Sequence, residues 1–297
     1  PTFMLQHQRP NGVPGFEPAL GDLNVARYFP DTSVDRWWQA ALTVEGKISG
    51  LDLVYSGSYM DRDVDTSSDY SAYTYNYDVY YASTPEYFGN LFRNDAGDVI
   101  SPAMRMLSHN RFTKSSHELR LSSPSDWRLS FVVGAFLQQQ QNDTRNEFRV
   151  DGLATIYSIT GQPGVQYLNA MTRIDRDWAV FGEVSYDLGS KLTLTGGLRV
   201  FGYDNTVYGF YGYNGQPQYG GLDPRPSGEQ LCEPDSAAIA GPGRPCIDID
   251  ERATDTGSTH KLTLTYHVDA ERMLYATWST GFRPGGINRT KDDEPYQ

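Results

Sequence analysis

Along four stretches of this sequence, apolar and polar residues alternate one by one on both limbs of a short turn: Asp35–Met60, Ser115–Gln141, Ile174–Tyr203 and Thr259–Phe282. A period of two marks a β-strand with unlike faces, so each stretch predicts an antiparallel hairpin. In the first, Trp38, Ala40, Leu42 and Val44 alternate with Gln39, Ala41, Thr43 and Glu45. Glu45–Gly50 supplies the turn, and Leu51, Leu53, Tyr55, Gly57 and Tyr59 form one side of the return. In the second, His117, Leu119 and Leu121 oppose Ser116, Glu118, Arg120 and Ser122. Ser123–Asp126, with Pro124, turns the chain into an apolar face of Trp127, Leu129, Phe131, Val133, Ala135 and Leu137. In the third, Trp178, Val180, Gly182, Val184 and Tyr186 lead to a turn at Asp187–Lys191, and Leu192, Leu194, Leu198 and Val200 return. In the fourth, Leu262, Leu264, Tyr266 and Val268 precede a turn at Asp269–Arg272. Met273–Phe282 carries aromatics on both faces, which leaves its apolar side unassigned.

The turns are a few residues long, whereas the connections between hairpins run to roughly thirty to fifty residues. All the long connections therefore fall on one side. An outer-membrane barrel has this asymmetry, with short turns in the periplasm and long loops outside. The expectation is an all-β chain: an antiparallel transmembrane β-barrel of about eight strands in four hairpins with long extracellular loops. Glu118, Arg120, Glu183, Arg199 and Lys261 stand mid-strand opposite the apolar band. They would line a wet lumen in a barrel and meet solvent in a sandwich, so alternation by itself does not choose. Sidedness, strands of roughly 10 residues or more and aromatic flanks favour the barrel.

Composition changes this picture little. The hydrophobic fraction is 38% and mean hydropathy is −0.55. No run of about 18 apolar residues is present, which excludes a transmembrane helix. A barrel needs no such run, because only alternate residues meet lipid. The 21 tyrosines suit strands and the membrane–water interface alike. A formal net charge of −12 argues against nucleic acid as a partner. Cys232 and Cys246 lie together in the longest loop among Pro, Gly and Asp, which predicts a disulfide in an oxidising compartment. Such a bond stabilises the loop by roughly 3 kcal/mol. No CxxC or neighbouring histidine completes a zinc set, and no metal is expected.

Four segments now stand together: Ser116–Ser123 (SHELRLSS), Trp178–Leu188 (WAVFGEVSYDL), Lys191–Val200 (KLTLTGGLRV) and Leu274–Asn288 (LYATWSTGFRPGGIN). In this order, each on a limb of a short-turn hairpin, they resemble the barrel strands of TonB-dependent outer-membrane receptors. The resemblance spans most of Ser115–Asn288. It implies a large barrel closed around an N-terminal plug, of the 22-stranded type. It also implies energised uptake, in a Gram-negative outer membrane, of a scarce ligand such as an iron-siderophore, cobalamin or an oligosaccharide. The partners implied are outer-membrane lipid, the small-molecule ligand, and the TonB complex through the plug region. No plug or TonB-box segment is recognisable, so residues 1–297 are expected to be an internal part of the barrel that begins and ends in outside loops. The competing readings are a complete eight-stranded anchor or adhesion barrel and a soluble β-sandwich that binds carbohydrate.

Candidate ligand contacts follow from the outside loops. The loop Asp61–Asn110 holds Tyr70, Tyr73, Tyr75, Tyr77 and Tyr80, with Tyr81 and Tyr87 beyond them. The loop after Tyr203 holds Tyr208, Tyr211, Tyr213 and Tyr219. Aromatic faces suit sugars, ring systems and chelates, while loop packing and an interface belt are the plainer use. Asp61, Asp63 and Asp65 begin like a calcium loop, but Thr66 and Ala72 stand where its glycine and bidentate glutamate belong. Asp248, Asp250, Glu251 and Asp255 could hold a hard cation, with a solvated charge run as the plainer reading. No nucleophile elbow, P-loop or dinucleotide turn is present, and neither catalysis nor a cofactor is expected.

Overall fold

The computed structural model describes residues 1–10, 12, 15–82, 92–215, 228–283 and 287, without the side chains of 80–82. Among these, nine strands run in chain order through one antiparallel sheet. They are β1 (Thr2–Gln8), β2 (Thr32–Ile48), β3 (Leu51–Asp69), β4 (Met104–Ser122), β5 (Leu129–Val150), β6 (Val165–Asp187), β7 (Leu192–Gly212), β8 (Ile249–His267) and β9 (Met273–Ser279). An α-helix, α1 (Ser71–Ala82), lies between β3 and β4. The four expected hairpins are β2–β3, β4–β5, β6–β7 and β8–β9.

The structure corrects the expected elements in three places. A ninth strand, β1, pairs along β2 from Thr2↔Ala41 to Gln8↔Asp35. The first turn is tighter than Glu45–Gly50, because pairing continues through Gly46↔Leu53 to Ile48↔Leu51. Ser49 and Gly50 are left at the tip with φ of 51° and 83°. Two positive φ values make the type I′ hairpin whose twist matches its strands. Thirdly, much of the expected loop is strand. β3 reaches Asp69 and β4 starts at Met104, β5 reaches Val150, and β6 starts at Val165. Strands β2 to β8 are 17 to 23 residues long, whereas a bilayer crossing needs about 9–11. The extensions of β3 and β4 escape a hydropathy pattern because their faces are largely polar, and those of β6 and β7 because apolar residues fall on both faces, as with Leu168 and Met171. Backbone pairing continues all of them.

Cross-strand register assembles the apolar positions onto one face. Val44, Tyr55, Leu119, Ala135, Val180 and Val200 stand in one row, and Leu53, Leu121, Val133, Gly182, Leu198 and His260 in the next. Leu137, Val180 and Leu262 are 58%, 57% and 49% exposed, a degree that water does not tolerate over a continuous band. Pairing with β8 also assigns the last strand: Leu274, Ala276 and Trp278 share the apolar face with Tyr266, Leu264 and Leu262.

The opposite, inner face is polar and internally paired. Lys261 Nζ donates to Glu183 at 2.9 Å, Arg120 pairs with Glu118, and Arg199 lies over the Phe136 ring. Arg62 forks onto both carboxylate oxygens of Asp35 at 3.0 and 2.6 Å. A second sheet packed on the first, as a sandwich requires, is absent among the described residues, and β1 and β9 do not pair to close the sheet.

Candidate functional site

Buried clusters gather at the loop end of the sheet. On the inner face, Phe92, Met104, Val150 and Leu153 pack under Tyr70, Phe148 and Tyr157. Above them stands a run of rings. Tyr70 meets Phe148 edge-on at 5.1 Å and Tyr73 at 5.2 Å, and Tyr73 meets Tyr77 at 4.5 Å. Phe148 meets Tyr167 at 5.4 Å, and Tyr167 meets Tyr211 and Tyr213 at 5.4 and 4.9 Å. The separations, and the edge-to-face angles of the pairs made by Phe148 and Tyr167, are those aromatic quadrupoles prefer. Helix α1 thus joins β5, β6 and β7 in one aromatic wall. Its hydrogen bond to Tyr77, then burial, pushes the Tyr73 phenol above its usual range, so the hydroxyl stays protonated.

Of the expected ligand tyrosines, Tyr70, Tyr73, Tyr77, Tyr211 and Tyr213 come together in this wall. Tyr75 does not, since it stacks on Tyr28 at 5.0 Å and shares a hydrogen bond with Ser101 at 3.0 Å. Nor does Tyr208, which shares the apolar-side face with its row neighbours Thr172 and Asp143. There its hydroxyl donates to the Ile239 carbonyl at 3.2 Å, under the Arg244 guanidinium. A one-residue step along β7 reverses the face, which is why Tyr208 and Tyr211 part. The Tyr80 side chain, Tyr87 and Tyr219 lie outside the described residues. Phe148 and Tyr167 were missed because β5 and β6 were expected to stop at Gln141 and to start at Ile174. Extending the period of two from Gln138 reaches Phe148 on the same face.

Cys232 and Cys246 are bonded, with Cα atoms 5.8 Å apart. Among the described residues, their loop seats its buried cysteine away from the wall rings. It packs on the outward face, where Cys246 joins Ile159, Val165, Leu168, Ala170 and Phe210. Arg244 donates to the Ala170 carbonyl at 2.8 Å and to Thr172 Oγ1 at 3.1 Å, and Arg145 to the Gly243 carbonyl at 2.5 Å. Replacing both cysteines by serine should weaken this loop by roughly 3 kcal/mol, or about 100-fold in local opening. Limited proteolysis of the receptor should show faster cleavage within 228–248 while heat-modifiable migration is kept. Equal cleavage rates would mean the polar clasp suffices without the bond.

The acidic groups form no calcium loop. Asp61, Asp63 and Asp65 occupy alternate positions of extended β3. Asp61 accepts from Arg111, and Asp65 from His109 Nδ1 at 2.8 Å. Asp63, Asp65 and His109 bring donor atoms within 4.8 Å of one another. Asp63, however, is paired across both neighbouring strands with Arg36 and Arg111, which would oppose a cation. Of the later acids, Asp248 accepts from the Tyr211 N–H at 3.0 Å. Asp250 and Glu251 are consecutive on β8 and face opposite ways.

The model of the family described as TonB dependent receptor-like, beta-barrel, matches residues 2–293. The chain belongs to this family. Among solved structures, this TonB-dependent receptor barrel is similar to FyuA of Yersinia pestis, a ferric yersiniabactin uptake receptor. The TM-score is 0.55 at 10% identity, over 90% of this chain and 32% of FyuA. The copper transporter OprC gives a TM-score of 0.44 at 13% identity, covering 84% of this chain and 30% of its own. A double mutant of the Serratia marcescens hemophore receptor HasR, solved with its hemophore HasA and heme, gives 0.37 at 14%, covering 95% and 40%. The FyuA likeness carries the fold alone. The receptor barrel described here thus spans between 30% and 40% of the solved chains it matches. No curated protein matches the sequence. No described helix is long and apolar enough to cross a membrane, which says nothing of crossing by strands.

Proposed function

We propose that these residues form part of the wall and outer rim of a Gram-negative outer-membrane receptor, which captures a scarce small ligand for TonB-linked uptake. The apolar face meets lipid, and the polar inner face lines the lumen around a plug carried by another part of the receptor. Coupling to the TonB complex is assigned to that plug. The barrel wall performs no reaction of its own.

The observation that carries this reading is the aromatic wall, which lies on the inner face at the end where the long connections emerge. Tyr73 and Tyr77 are 52% and 38% exposed there, so their rings are open to a visitor. In the full-length receptor, Tyr73→Ala, Tyr77→Ala and Tyr211→Ala combined should weaken ligand affinity by at least about 10-fold, at roughly 0.5–1.5 kcal/mol for each ring contact. Tyr208→Ala, on the other face, should leave affinity unchanged. Uptake and equilibrium binding that survive the triple replacement would remove the wall from the capture site.

A further inference from the structure

We propose that Asp69 is a positioning residue for the aromatic wall: its carboxylate ties the connection before β2 to the first turn of α1, and so sets where α1 presents Tyr73 and Tyr77 at the rim. Its consequence for ligand capture rests on the reading of the wall as the capture site.

Asp69 ends β3, two residues before α1 begins. One of its carboxylate oxygens accepts the Ser71 N–H at 2.9 Å, and the other accepts the Tyr28 N–H at 2.7 Å. Ser71 opens the helix, so its N–H has no acceptor within the helix, and an anion at that end also answers the helix dipole. Asp69 is itself held from behind. Its own N–H donates to Asp31 Oδ1 at 2.9 Å, and the other Asp31 oxygen accepts from Arg27 Nε at 2.9 Å. Asp31 is buried. Two carboxylates and a guanidinium thus join residues 27–31 to the corner between β3 and α1.

The same connection touches the helix a second time, through the ring of Tyr28 on that of Tyr75. Tyr73 and Tyr77 are four residues apart and share one face of α1. Tyr75 stands two positions from each, about 200° around the helix, which explains why it leaves the wall and meets the connection. On the other side, the corner is fixed to the start of β4. The Met104 N–H donates to Ser71 Oγ at 3.2 Å, and the Thr74 hydroxyl donates to the Pro102 carbonyl at 2.5 Å. Ser71 and Thr74 are both buried. Held from β4 on one side and from residues 27–31 on the other, the first turn has a set orientation, and with it the face that carries Tyr73 and Tyr77.

The test uses the full-length receptor in detergent, with tetranitromethane as the probe and peptide mass as the readout. Nitration takes the tyrosinate form, and the Tyr73 phenol is pushed above its usual range by its hydrogen bond to Tyr77 and then by burial, so in the parent it should react slowly. Asp69→Ala should speed nitration of Tyr73 about 10-fold, the effect of losing a hydrogen bond to a charged group at the corner. Tyr208 on the outward face should react as in the parent, with heat-modifiable migration kept. Asp69→Asn, which retains one of the two acceptors, should fall between. A binding panel of a ferric tricatecholate, a ferric trihydroxamate, cobalamin and a maltooligosaccharide supplies the second reading. The panel member that the parent binds should bind about 10-fold more weakly to Asp69→Ala. It should weaken no further when Asp69→Ala is added to Tyr73→Ala and Tyr77→Ala, because changes that act through the same rings do not add. Unchanged nitration of Tyr73 in Asp69→Ala, or an equal rise at Tyr208, would overturn the positioning role whatever the panel shows, as would an additive loss of binding. Nitration that rises as expected, with binding indifferent to Asp69 and to both tyrosines, would leave the positioning role standing and remove the wall from capture.

Discussion

Leu198→Arg is expected to destabilise the folded receptor by about 2–4 kcal/mol, the cost of a cationic side chain near the middle of the lipid face of a barrel. Leu198 is 49% exposed and stands in register with Gly182 and His260. On β6 the band runs from Trp178 to Tyr186, eight residues or roughly 26 Å along a strand. Tilted by about 40°, that length covers roughly 20 Å of the roughly 25 Å apolar height of a barrel. Gly182 is midway between those two aromatics, so Leu198, its register partner, is at the deepest level. Thr195→Lys is the control, because Thr195 faces inward and its Oγ1 shares a hydrogen bond with Ser185 Oγ. Urea titration of the receptor in lipid vesicles, followed by heat-modifiable migration, should separate the two variants. Equal stability would place the apolar face against something other than lipid.

The band was legible because lipid imposes a strict rule on alternate residues, and the apolar positions read within the strands from Trp38 to Tyr266 fall on one face of the sheet, whereas Trp127 lies in the turn before β5. Beyond Trp178 the rule lapses. The outward row of Tyr59, Ser115, Gln139, Arg176, Asp204 and Thr254 is almost wholly polar, and the inner row beside it is polar too. With two wet faces, sequence cannot distinguish an extended strand from a loop, so Asp61–Asp69 and Met104–Asn110 read as connection. β1 was lost for a related reason: seven residues of Thr2–Gln8 hold too short a pattern, and only pairing with β2 defines them. The aromatic wall was half legible. Tyrosine density pointed to the right segments, but the side each ring takes depends on helix α1 and on strand parity, neither of which was visible. The cysteine pairing was suggested by isolation in one loop; its seat on the outward face was not, because Phe210 and Leu168 are contacts far away in sequence.

That seat leads to the second large effect. Phe210 is fully buried against the disulfide loop, and Phe210→Ala is expected to cost about 3–5 kcal/mol, the transfer and cavity terms of a buried aromatic. The cost should fall locally, since the outer clasp stands on few other apolar contacts. Its consequence should reach the inner face through the backbone of β7. Asp248, at the foot of the disulfide loop, accepts from the Tyr211 N–H at 3.0 Å, and its own N–H donates to the Gly209 carbonyl at 3.1 Å. Gly209 itself, at φ 146°, has no space for a Cβ, which would strike the Ala170 carbonyl oxygen. The strand segment that carries Tyr211 is therefore held from outside by the loop and from the side by β6. Loosening the clasp should let Tyr211 leave its ring contact with Tyr167, so ligand affinity should fall although Phe210 faces away from the lumen. Hydrogen exchange should show faster exchange at residues 209–212 and 245–250 together, with the membrane band unchanged. Faster exchange in the loop alone, with ligand affinity intact, would mean that the outer clasp and the aromatic wall are independent.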